Sequence, residues 1–84
     1  MEELLAFLAR SLVNHPERVA VESREEDGTV TLSLEVAPED LGKVIGRQGR
    51  IARAIRTVMK AAGARDGRKV VVEIKDQARE RPQG

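Results

Sequence analysis

The sequence predicts an α+β domain in which a three-stranded sheet carries its helices on one face, in the order α-β-β-α-α-β. Three observations predict it. Apolar residues recur at helical spacing near the start of the chain and again through its middle. Between them, "TVTLSLEV" alternates apolar and polar residues without a break. Asp27-Gly28 separates two alternating stretches, and that pair suits the positive φ angles of a two-residue hairpin turn. With 84 residues the chain has room for one small domain and a thin core.

In the opening "MEELLAFLARSLV", Leu4, Leu5, Leu8 and Leu12 fall on one helical face, and Pro16 stops the helix soon after Asn14. Acids stand where a signal peptide would carry basic residues, and no small-residue cleavage site follows, so an ordinary amphipathic helix is expected. "ERVAVESRE" then alternates, with Val19 and Val21 on one side. After the turn, Val30, Leu32, Leu34 and Val36 are expected inward, and Thr31, Ser33 and Glu35 outward. Pro38 suits the first turn of a new helix, with Glu39 and Asp40 where the dipole favours acids. Leu41, Val44 and Ile45 form its apolar stripe, and Gly46 ends it. A longer helix runs from about Gly49 to Ala62, with Ile51, Ile55, Val58 and Ala62 inward and Arg53, Arg56 and Lys60 outward. Gly63 is expected to close it. "RKVVVEIKD" reads as the last strand. "QARERPQG", residues 77–84, has no apolar pattern and reads as a flexible tail, so the domain is expected to span residues 1–76.

Composition excludes several function classes. There is no cysteine, so disulfides and cysteine metal sites are ruled out, and a reducing cytoplasm is the natural compartment. No apolar run approaches the roughly 18 residues of a membrane span. Phe7 is the only aromatic, which disfavours nucleic-acid binding by stacking. His15, the only histidine, precedes Pro16 at a helix end, where capping or solvent exposure accounts for it. Ser11, Ser23 and Ser33 have no recognisable base beside them. The acids near the hairpin lack metal-ligand spacing. "GRQGRIAR" lacks the lysine and hydroxyl residue that end a P-loop. No catalytic residue, metal, cofactor or small-molecule substrate is expected, and the chain reads as a non-enzyme.

The charge is segregated. Met1 to Leu41 holds three basic residues and ten acids, whereas Gly42 to Lys69 holds nine basic residues and one acid. A basic face centred on the middle of the chain follows, unless folding averages these charges over the surface. The same segment reads "LGKVIGRQGRIARAIRTVM", where Gly46 and Gly49 interrupt a helical pattern. Only Arg47 and Gln48 lie between them, and so tight a turn needs backbone angles that side chains resist. Glycines also let a ligand backbone approach closely. The turn leads into a helix N-terminus, where outward N–H groups and the dipole favour anions. With Arg47, Arg50 and Arg53 around it, the turn is suited to consecutive phosphates. A bare GxxG also occurs as a simple helix-helix turn.

"VIGRQGRIARAI" resembles the signature of the KH domain, and the element order resembles its type II arrangement. "DLGKVIGRQGRIARAIRTV" resembles the central block of the KhpA family of small bacterial RNA-binding proteins, over roughly residues 1–76. The resemblance implies a type II KH-like fold and a cytoplasmic protein that clamps single-stranded RNA through the GxxG loop 46–49. It also implies pairing with itself or with a KhpB (Jag/EloR)-type protein, and a link to cell elongation and division. Carried onto this chain, Gly46 and Gly49 permit backbone approach. Arg47 and Gln48 contact phosphate or sugar, Arg50 and Arg53 supplement the charge, and Lys43 lies on the rim. Leu41, Val44 and Ile45, together with an edge strand, form a groove floor for bases, or those three residues are simply core, with core favoured for Ile45.

The rival reading is a protein-protein module with little RNA binding of its own. Pairing would help so small a core. Ala54, Thr57 and Ala61 give the long helix a slim flank, with Val58 and Met59 beside it as candidate dimer contacts. Alanines also simply favour helix. RNA and partner would then share one helix, and the sequence leaves open whether they compete.

Overall fold

The computed structural model describes residues 1–75; the expected tail, residues 77–84, lies outside the described residues. Helix α1 is Glu2–Leu12, β1 Ala20–Glu26, β2 Thr29–Glu35, α2 Leu41–Ile45, α3 Arg50–Arg65 and β3 Lys69–Ile74. The predicted α-β-β-α-α-β order is what forms. Short 3₁₀ turns at Pro16–Arg18, Pro38–Asp40 and Arg47–Gly49 lead into the element that follows each. No helix among the described residues is long and apolar enough to cross a membrane.

The sheet is mixed, in the order β1-β2-β3. β1 and β2 run antiparallel through the Asp27-Gly28 turn, where φ is 51° and 79° as the pair requires. β2 and β3 run parallel. A parallel neighbour cannot be reached by a hairpin, so α2 and α3 form the crossover. Alternation on β2 works as predicted: Val30, Leu32, Leu34 and Val36 are all buried. Register sets Val30 beside Val70 and Leu32 beside Val72, which makes one apolar face. Leu5 and Ala9 from α1, Val44 from α2, and Ile55 and Met59 from α3 cover that face.

Three expectations about the helices are corrected. On α1 the buried centre is Leu5 and Ala9, while Leu4 and Leu12 stay more than one-third exposed. The apolar stripe of α1 is wider than the domain covers. On α3 the buried set is Ala52, Ile55, Met59 and Gly63, at steps of three and four. Val58 faces outward, and Met59 is fully buried. Met59 therefore belongs to the core and offers no surface to a partner. Gly63 does not close α3, which runs on to Arg65. A Cβ at Gly63 would strike the Val70 side chain and crowd the Arg68 carbonyl, so glycine here seats the helix against β3.

Asp40, placed on a first turn by the sequence, is fully buried there. Its Oδ2 accepts the His15 backbone N–H at 2.9 Å. This bond ties the chain leaving α1 to the start of α2. The His15 ring stays half-exposed, with Glu17 and Glu39 carboxylates 3.7 and 3.5 Å away.

Candidate nucleic-acid interface

Helix α2 ends where the Gly46 N–H bonds the Gly42 carbonyl at 2.8 Å. Gly46 then takes φ 78°, ψ 172°, a conformation essentially confined to glycine. Gln48 and Gly49 follow with φ 58° and 76°. The Gly49 N–H closes the turn on the Gly46 carbonyl at 3.1 Å. Arg53 Nη2 reaches back to the Gln48 carbonyl at 3.3 Å and braces the loop against the first turn of α3. Arg47 and Gln48 stand exposed at the tip, and among the described residues no side chain caps the N-terminus of α3.

The two glycines serve different purposes. A Cβ at Gly46 would meet Ile51 Cγ1 at 2.6 Å and the Ile51 nitrogen at 2.9 Å. Its missing side chain makes room for Ile51, inside the protein. A Cβ at Gly49 would meet nothing within 4 Å. Gly49 is the position open to an approaching ligand, and its backbone angle is the other reason for glycine there.

Of the sequence-predicted residues, the structure brings Arg47, Gln48, Arg50, Arg53 and Lys43 to the surface in or beside the loop, with Gly46 and Gly49 half-buried. Val44 is different. It is fully buried in the core, so its side chain leaves no surface for a base. Leu41 and Ile45 are half-buried and pack on that core.

Sequence patterning alone missed where an open groove lies. Arg53, Arg56 and Lys60 form a stripe along α3 that leads from the loop toward the edge of β3, which is free among the described residues. Between α3 and β3 is a cleft of about 310 Å³ lined by Arg56, Lys60, Lys69, Val70, Val71 and Val72. The Lys75 N–H bonds the Leu34 carbonyl on β2 at 2.8 Å. Backbone direction alternates along a strand, so Val70, Val72 and Ile74 turn their N–H and C=O groups to the free edge. Arg56 Nε donates to the Val72 carbonyl at 3.3 Å, on that edge. The Arg56-Lys60 spacing was a usable signal; an edge strand at the groove was expected, but not that β3 supplies it.

The other flank of α3 is apolar. Leu8, Ser11 and Leu12 from α1 face Arg50, Ile51, Ala54, Ile55 and Val58 across an open groove of about 360 Å³. Val58 is 45% exposed, and Phe7, further along α1, is 64% exposed. Ala54 and Ala61 are exposed on this side. Thr57 lies between the two flanks, its hydroxyl turned back to the Arg53 carbonyl at 3.0 Å.

A GxxG loop joining two helices over a three-stranded mixed sheet defines a KH domain. Comparison with known proteins agrees. Residues 2–74 match the model of the KhpA/KhpB KH domain, and the chain belongs to that family. Proteins named RNA-binding protein KhpA from Clostridium perfringens and Clostridium acetobutylicum are 55% and 54% identical over 74 residues, covering 88% of this chain and 99% of each relative. The Aquifex aeolicus protein of the same name is 45% identical over 74 residues, covering 88% of this chain and 94% of its own. A crystal structure of an Aquifex aeolicus Era variant bound to GDP.AlF4- superposes with a TM-score of 0.60 at 22% identity. It covers 98% of this chain and 33% of that one, which establishes likeness of fold. The family is one of binding domains and not of enzymes.

Proposed function

We propose that this domain binds single-stranded RNA in the cytoplasm, clamping its backbone at Gly46-Arg47-Gln48-Gly49, as an RNA chaperone or post-transcriptional regulator. The observation that carries this is the loop itself. Two exposed side chains stand between two positive-φ glycines, at an uncapped helix N-terminus, within a segment of nine basic residues and one acid. The relatives' shared name, RNA-binding protein KhpA, supports the same reading. Bases splayed from the clamped backbone then have the α3-β3 cleft to enter.

A second reading rests on a separate observation, the apolar groove between α1 and α3 with Phe7 and Val58 exposed beside it. We assign that surface to pairing, with a second copy or with a KhpB (Jag/EloR)-type partner, through which the protein acts in cell elongation and division. Ala54, Thr57, Val58 and Ala61 are the α3 contacts in this reading. If the groove alone were functional, the domain would be a dimerisation module with little RNA binding.

Replacing the loop tip separates the two readings. Arg47→Asp with Gln48→Asp leaves the fold intact, because both side chains are exposed. Two acids facing phosphate are expected to weaken single-stranded RNA binding on the order of a hundredfold. An unchanged affinity, with an unchanged circular dichroism spectrum, would remove the clamp.

A further inference from the structure

We infer that Arg53 serves RNA binding as a positioning residue, holding the tip of the GxxG loop in its binding form, rather than as a phosphate contact. The inference rests on the RNA-binding reading above. It deepens that reading by separating the arginine that shapes the loop from those that meet the ligand.

The loop tip needs holding. Gln48 carries a side chain yet sits at φ 58°, ψ 22°, in the left-handed region that side chains disfavour. Gly49 follows at φ 76°, and a glycine is free to leave that conformation. Packing gives little help. Arg47 and Gln48 are exposed, and a Cβ at Gly49 would touch nothing within 4 Å. What fixes the tip is the peptide unit between Gln48 and Gly49, which is bonded at both ends. Its N–H donates to the Gly46 carbonyl at 3.1 Å, and its C=O accepts from Arg53 Nη2 at 3.3 Å. The first bond lies within the loop and moves with it. The second ties the loop to α3, which Ile55 and Met59 anchor in the core. Among the described residues, no other side chain hydrogen-bonds the loop backbone. The same bond serves the loop's electrostatics. A bare carbonyl at the tip would present partial negative charge to an approaching phosphate, whereas the Gln48 oxygen is already paired with a cation.

Arg47 is the contrast. Its side chain is exposed at the tip, and among the described residues it makes no hydrogen bond or ion pair, so its charge is available to phosphate. The Arg53 guanidinium keeps further N–H groups, so a phosphate contact of its own is the alternative, and salt separates the two. Each phosphate contact on a single strand adds about 0.7 to the slope of log K against log salt, whereas a hydrogen bond inside the protein adds nothing to it. The affinity of an eight-nucleotide uridine strand is measured over a salt series for the natural chain, Arg47→Gln and Arg53→Gln. Glutamine removes the charge, suits a helix and ends short of the Gln48 carbonyl. Arg53→Gln is expected to weaken binding about fivefold at every salt concentration, as loss of one hydrogen bond implies, and to keep the slope. Arg47→Gln is expected to lower the slope by about 0.7. Exchange of the Gly49 amide, read by NMR without RNA, gives a second measurement. It is expected to quicken about fivefold in Arg53→Gln and to stay unchanged in Arg47→Gln. Circular dichroism checks that each variant stays folded, as is expected of exposed positions. If Arg53→Gln lowers the slope as Arg47→Gln does, or leaves the affinity or the Gly49 exchange unchanged, the positioning role is wrong while RNA binding stands. If the natural chain does not bind the strand, the RNA-binding reading itself falls, and this inference with it.

Discussion

The two flanks of α3 carry opposite kinds of surface. One carries Arg53, Arg56 and Lys60 and borders the edge of β3. The other carries Ala54 and Val58 and borders the apolar side of α1. Consecutive residues of a helix are about 100° apart, so Arg53 and Ala54 already point to different neighbours. Between the flanks, on the far side, Ala52, Ile55, Met59 and Gly63 hold the helix to the sheet. One helix therefore presents a charged groove and an apolar groove at once, without either using the other's side chains. Arg50 and Ile51 link the two, since both line the apolar groove, Arg50 stands beside the loop and Ile51 packs on Gly46. The competition for α3 that the sequence leaves open thus narrows to those two residues.

Salt should separate the flanks most widely. Three or four phosphate contacts on the charged flank imply a slope of log K against log salt of roughly −2 to −3. A tenfold rise in salt then costs about a hundredfold to a thousandfold in RNA affinity. Association through the apolar groove should barely respond, because burial of apolar surface is not screened. Titration and light scattering over one salt series measure both. Parallel slopes would mean the two surfaces are not distinct.

Gly46→Ala should damage both flanks together. It forces a Cβ onto Ile51 and into backbone angles that glycine alone tolerates. A loss of about 3 kcal/mol of stability is expected, read from chemical denaturation. Ile51 lines the apolar groove, so pairing weakens along with the loop. Gly49→Ala should do less. Its Cβ has open space, and only the left-handed φ of 76° resists it, at about 1–2 kcal/mol. Equal losses at the two positions would contradict the separate purposes assigned to these glycines.

Much of this was legible in the sequence, for identifiable reasons. Strict alternation on β2 and the Asp27-Gly28 pair depend on local geometry, so the hairpin and its inward face follow directly. The loop was legible because Gly46 and Gly49 have backbone reasons to be glycine. The helix faces were less so. Val58 and Met59 are adjacent apolar residues, and only the packing on β3 decides which one turns in. Gly63 reads as a helix end, but its contact with Val70 is made across the fold. Asp40 reads as a dipole acid, while its partner, the His15 N–H, is 25 residues away in sequence. Val44 reads as a base contact because it neighbours the loop, yet a five-residue helix has one inward centre and Val44 occupies it. The α3-β3 cleft needs the knowledge that, among the described residues, β3 pairs on one side only.

The independence of the two flanks is tested most directly by comparing one neutral double substitution with one charged double substitution. Phe7→Ser with Val58→Ser removes exposed apolar surface without adding charge near Arg50. Arg47→Asp with Gln48→Asp changes the loop tip and leaves the apolar groove untouched. Each double variant is assayed for binding of an eight-nucleotide strand, too short to bridge two clamps, and for mass by light scattering over a concentration series. The expected result is a clean exchange. The serine variant moves to the monomer mass and keeps its RNA affinity within about twofold, whereas the aspartate variant keeps its mass and loses RNA affinity on the order of a hundredfold. The contradicting result is a serine variant that loses RNA binding along with its partner, or one whose mass never differs from that of the natural chain.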